Sequence, residues 1–202
     1  MRDRHRVLRT FTRGILECIE REKTILERSE EGLKRWKKIS PHMNKLKGAA
    51  LISCVSFVES EVSHLEPVPF PFPKSVPKYS GTPRIGNLDL WRHKFDSSGN
   101  RWYGWEEFVN FHRIRHCFAH KNGLLLKGHA SHITSFQKKL KQGTVKDRNG
   151  KKLDSYYDIS SQKEIMLKAT ALERLRILSM EFLILSNVEG PITLNTGEIV
   201  SF

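Results

Sequence analysis

An all-α fold, an up-and-down bundle of four to five helices, is what this sequence predicts, and three observations predict it. Apolar residues return at three- and four-residue spacings along the stretches 4–65 and 102–186, the period of a helix with one buried face. Strand-like patterning is confined to short pieces around one Asn-Gly pair. Six of the eight prolines crowd into residues 66–83, so helix breakers are nearly absent elsewhere. The expected chain, residues 1–202, is a single domain with a long proline-rich loop and a small β-hairpin inserted before the last helix.

The first helix is predicted over Arg4–Lys38. Leu8, Phe11, Ile15, Cys18 or Ile19, Leu26, Leu33 and Trp36 return to one face, and Gly32 is a place for a kink or a split. Ser40-Pro41 reads as a break, because proline is tolerated at a first helical position. A second helix over Pro41–Leu65 carries Leu46, Ala49, Ala50, Ile52, Val55, Phe57, Val58 and Val62, dense enough for a central position.

The composition then changes. Pro-Val-Pro-Phe-Pro-Phe-Pro opens a loop over residues 67–100 that is neither helix nor central strand, since proline fixes φ and donates no hydrogen bond. Loops this long are usually functional or mobile. Beside it, Trp91, Trp102, Tyr103 and Trp105 are interleaved with Arg92, His93, Lys94 and Arg101, which suits either base stacking or a lid on the bundle.

A third helix starts between Trp102 and Glu106 and ends at Gly123, a natural left-handed helix stop. A short basic helix is predicted over Phe136–Lys141. Asp147-Arg148-Asn149-Gly150, between Thr144-Val145 and Leu153–Ile159, predicts the hairpin. The last helix, Ser161–Ser186, buries Leu172, Leu175, Leu178, Phe182 and Leu185, and residues 188–202 form a tail.

A net charge of +13, with Lys and Arg spread along the chain, favours a polyanionic partner: RNA or DNA first, an anionic membrane surface second. Cys18, Cys54 and Cys117 are odd in number and far apart in helical positions. They read as buried small hydrophobes, not as a disulfide framework or a zinc site, and fit a reducing cytoplasm. The basic N-terminus lacks the apolar run of a signal peptide, and no apolar stretch approaches a membrane span. No phosphate-binding Gly-rich loop, Gly-x-Ser-x-Gly, His-Glu-x-x-His or Cys-x-x-Cys is present.

The most informative stretch runs from Phe111 to Gly123. It sets Arg115, His116 and His120 near a helix end. Arginine offers planar donors to phosphate oxygens, and histidine exchanges a proton near neutral pH, so the combination suits chemistry on a phosphate. His112, His116 and His120 also recur every four residues, the spacing of a metal stripe, but no carboxylate at matching spacing joins them, and neither a metal nor a cofactor is expected.

This stretch resembles the motif of the HEPN superfamily: Arg, then a polar residue, then three residues, then His, here Arg115, His116 and His120. The resemblance implies a helical-bundle domain and a metal-independent endoribonuclease, in a toxin–antitoxin or antiviral setting, that leaves 2′,3′-cyclic phosphate and 5′-hydroxyl ends. It implies His120 as general base or acid, Arg115 as the group that holds the scissile phosphate, and His116 as an orienting residue. Supporting candidates are Glu59, preferred over Glu61 for a polar position on the second helix; Arg113, also within the family's spacing; and Asn122, which stands where some members carry a modified Tyr. His129 and His132 read as bystanders. Residues five apart on a helix point roughly 140° apart. Arg115 and His120 therefore converge only if the helix ends between them or a second subunit completes the site, and a homodimer is expected. RNA is the expected partner, with an antitoxin or other protein beside it and no membrane. The alternative is a catalytically silent module of the same kind that binds RNA, a nucleotide or a protein. A third reading makes the proline-rich loop a docking element and the motif only a helix end.

Overall fold

A computed structural model describes residues 2–63 and 102–185 of the chain. The proline-rich segment 67–100 and the tail 188–202 lie outside the described residues.

The described residues form an all-α bundle with one two-stranded sheet: α1 (Arg2–Leu26), α2 (Glu30–Ser63), α3 (Trp105–Lys121), α4 (Lys127–Lys141), β1 (Tyr157–Ile159), β2 (Ile165–Leu167) and α5 (Ala169–Leu185). α2 is central and packs against α1, α3 and α5, while α3 also contacts α4 and α5. The core joins Leu51, Val55 and Val58 of α2 to Phe108, Phe111 and Ile114 of α3 and to Leu172, Leu175 and Leu178 of α5. No described helix is long and apolar enough to cross a membrane.

The helix expected over 4–38, with a kink or split allowed at Gly32, is split in two just before that residue. α1 stops at Leu26, and a turn at 27–29 reverses the chain into α2. Ser29 Oγ accepts from Gly32 N at 3.0 Å, an N-terminal capping bond. Gly32 is needed because a Cβ there would sit 2.0 Å from the Leu26 carbonyl oxygen. The break expected at Ser40-Pro41 is absent, and α2 runs through it. Proline cannot donate to the Lys37 carbonyl, and the Ser40 hydroxyl reaches that oxygen instead at 3.4 Å. The buried line of α1 is Thr12–Ile19, flanked by Ile15 and Leu16, and Phe11 is exposed. Cys18 is exposed too, contrary to the expected burial of all three cysteines; Cys54 and Cys117 are buried.

α3 ends where expected. Asn122 adopts a left-handed conformation (φ 51°) and Gly123 another (φ 93°), and both backbone N–H groups return to the Cys117 carbonyl. α4 is far longer than the predicted 136–141. The apolar spacing Ile133, Phe136, Leu140 belongs to one helix that starts at Lys127.

The Asn149-Gly150 turn forms, with Asp147 Oδ1 accepting from the N–H groups of Asn149 and Lys151, but only one bridge, Lys146 with Lys152, flanks it. The paired strands lie further on: β1 falls within the predicted strand stretch Leu153–Ile159, and β2 replaces the first turns predicted for the last helix. Tyr157 pairs with Leu167 and Ile159 with Ile165. Asn44, buried in α2, holds this sheet: its Nδ2 donates to the Ile165 carbonyl at 2.8 Å, and its Oδ1 accepts from Leu167 N at 2.9 Å. The hairpin loop docks on the turn after α3 through Leu125 N to Lys163 O and Ile165 N to Gly123 O, both 2.9 Å. The end of the motif helix is thereby fixed from outside.

Candidate functional site at the end of the third helix

α3 crosses α2 closely. A Cβ on Gly48 would lie 2.1 Å from the Phe118 ring, so glycine lets the two helices approach at the level of the motif. One face of α3 then carries a row of histidines that runs from the core to the surface. His112 is buried, His116 is half-buried and His120 is exposed.

His112 anchors the inner end. Its Nε2–H donates to Glu59 Oε1 at 2.5 Å. A carboxylate can only accept, so the proton sits on Nε2, and Nδ1 is buried without a hydrogen-bond partner. Burial raises the Glu59 carboxyl, but the His112 hydrogen bond and the positive charge of Arg115 outweigh it and hold the group below the usual carboxylate value. Arg115 reaches the same carboxylate at a long 3.7 Å and Ser56 Oγ at 3.5 Å, while its Nε is buried without a partner. The guanidinium is positioned but loosely engaged. Glu61, two residues from Glu59, points from a different side of α2.

Beyond His112 the imidazoles stack outward. The His116 ring centroid lies 4.9 Å from that of His112 and 5.6 Å from that of His120. A fourth ring enters from α4: His129, in its first turn, is 5.5 Å from His116. Burial, and then the neighbouring cations and imidazoles, push His116 down to about 4, so it is neutral at pH 7. His129 is pushed down by burial and by Arg113.

The structure therefore joins Glu59 to His112 and Arg115 midway along α3, and links His120 to them only through the ring of His116. Arg113 is mostly buried, and burial lowers its basicity. Asn122 is exposed and forms the helix cap. The helix does not end between Arg115 and His120; it continues to Lys121 and leaves the two on different faces. Within one chain the two therefore do not converge. Sequence reasoning missed the Glu59–His112 contact and the approach of His129. The four-residue spacing of His112, His116 and His120 was the available signal for the row, and nothing local marked the cross-helix partners. Among the described residues, no group of three or more His, Cys, Asp or Glu side chains is arranged to hold a metal ion.

The aromatic cluster divides. Trp102 and Trp105 are buried against Phe108 and Phe182, with centroids 5.3–6.2 Å apart, as a lid on the bundle. Tyr103 is exposed, with its hydroxyl on Glu181. Trp91 lies outside the described residues.

No family model matches the chain, and no curated protein or solved structure gives a significant match.

Proposed function

We propose that this chain is a metal-independent endoribonuclease of the HEPN type that cleaves RNA to 2′,3′-cyclic phosphate ends, as a homodimer, in a toxin or antiviral setting. The observation that carries the reading is the histidine row beside Arg115. It offers a fixed cation and several imidazoles at the accessible end of one helix, in a chain of net charge +13. The loose contacts of Arg115 support its availability to a phosphate: a guanidinium held at 3.5–3.7 Å by neutral and acidic partners can rotate to bidentate geometry on an anion. The neutral state of His116 at pH 7 leaves its ring one donor and one acceptor nitrogen with which to orient the phosphate or His120.

In this reading Arg115 stabilises the charge that develops on the phosphate, His120 exchanges a proton with the reacting oxygens, and His116 orients the phosphate or His120. Glu59 and His112 act behind them as a brace for Arg115. The divergence of Arg115 and His120 on one helix makes a two-fold partner part of the proposal. The same divergence favours the second reading, a silent RNA-binding module, if the chain is monomeric.

The two readings separate in one experiment. In the first, Arg115→Ala and His120→Ala abolish cleavage of a mixed RNA pool, leave the helical circular dichroism spectrum intact and retain salt-dependent binding. In the second, the wild type binds RNA with a steep salt dependence and cuts nothing.

A further inference from the structure

Cleavage by a ribose 2′-hydroxyl moves two protons: one leaves the attacking oxygen and one must reach the departing 5′-oxygen. His120 can serve one of these transfers. We infer that His129, carried by α4, is the second proton-transfer residue, accepting the 2′-hydroxyl proton while His120 supplies one to the 5′-oxygen. This rests on the ribonuclease reading above.

Three observations carry it. The fold delivers His129 to the site by construction: Leu126 N donates to Cys117 Sγ at 3.5 Å and Leu125 N to the Lys163 carbonyl, so the turn after α3 lays the first turn of α4 beside His116. The result is one imidazole, His116, with a ring from each side of the turn near it, His120 at 5.6 Å and His129 at 5.5 Å. His129 is half-buried rather than sealed in the core, and its neighbour Gly128 is exposed. Finally, the groups that face His129 favour its neutral, proton-accepting form: Arg113 and His112 on α3 and His132 on its own helix all add to the effect of burial.

The step balances. The O2′–H bond breaks and its proton passes to the free ring nitrogen of His129. O2′ bonds to phosphorus, the P–O5′ bond breaks, and O5′ takes the proton of an imidazolium His120. The products are a 2′,3′-cyclic phosphate and a 5′-hydroxyl. His129 leaves protonated and His120 neutral, and exchange with water restores both.

The test compares full-length wild type with His129→Ala, His129→Asn, His120→Ala and the control His132→Ala. Each is given in EDTA an all-oxygen RNA oligonucleotide and one whose 5′-leaving oxygen is replaced by sulfur, which departs without an acid. Loss of His129 should slow cleavage of both substrates about 100-fold or more and remove the acidic limb of the pH–rate profile. His120→Ala should be slow on the oxygen substrate and largely restored on the sulfur one. His132→Ala should match the wild type. His129 variants within about threefold of the wild type, with His120→Ala inactive, would overturn the role of His129 and leave the ribonuclease reading standing. No cleavage by the wild type would overturn both. Should the His129 variants lose their helical spectrum, NMR of the wild type decides. An uncleavable 2′-deoxy oligonucleotide should shift the His129 ring resonances, and an unmoved ring refutes the assignment.

Discussion

Glu59→Gln isolates the brace behind the site. The substitution keeps the size of the side chain and removes its charge. The wild-type carboxylate accepts from His112 at 2.5 Å, and the His112 side chain is only 4% exposed. A hydrogen bond to a charged group contributes about 1.5–3 kcal/mol. The Glu59 side chain is 31% exposed, which screens the interaction and lowers the expectation to about 1–2 kcal/mol. For a chain of this length that is a fall in melting temperature of about 2–8 °C. The pH dependence gives a second check. The folded carboxyl lies below its ordinary 4.5, so its contribution is complete above pH 4.5 and is lost as pH falls through the folded value. Thermal melts of both proteins by circular dichroism, from pH 7 to pH 3, read both effects. The difference should hold steady down to about pH 5 and close below it. Equal melting temperatures at pH 7, or a gap unchanged at pH 3, would refute the reasoning.

Other consequences follow from the same geometry. His116 should remain neutral in an NMR titration down to about pH 4; because the unfolded chain takes that proton near its ordinary 6.5, stability should decline between those values, and His116→Gln should flatten the decline. Gly48→Ala places a Cβ 2.1 Å from Phe118 and should cost about 1–3 kcal/mol by urea unfolding, with cleavage reduced because α2 and α3 are pushed apart at the motif. Glu107→Gln breaks a buried pair with Arg174, 2.7 Å apart, and should cost about 3–5 kcal/mol by the same assay.

Much of the fold was legible because it rests on helical periodicity. The faces of α3 and α5 were readable from Phe108, Leu172, Leu175 and Phe182, and the end of α3 from Gly123. Three errors share a cause. Pro41 did not break α2, because a neighbouring serine hydroxyl and packing on three sides outweigh one lost backbone bond. Residues 165–167, expected as the start of the last helix, became the second strand of the hairpin, where Asn44, more than 120 positions away, bonds Ile165 and Leu167. The stripe of α1 holds at Ile15 and Ile19 but not at Phe11, which is exposed while Thr12 beside it is buried. In each case a contact distant in sequence decides between local options. The site follows the same division. Arg115, His116 and His120 were visible as a local motif, and Glu59 as a preferred acidic position. The Glu59–His112 hydrogen bond and the approach of His129 depend on how α2, α3 and α4 pack, which no local spacing records.

The most direct measurement of the central claim is chemical identification of RNA ends after incubation with the purified chain in EDTA, beside His120→Ala. The account predicts 2′,3′-cyclic phosphate and 5′-hydroxyl ends from the wild type and intact RNA from the variant. Intact RNA in both, or 3′-hydroxyl ends that appear only when a divalent metal is added, would contradict it.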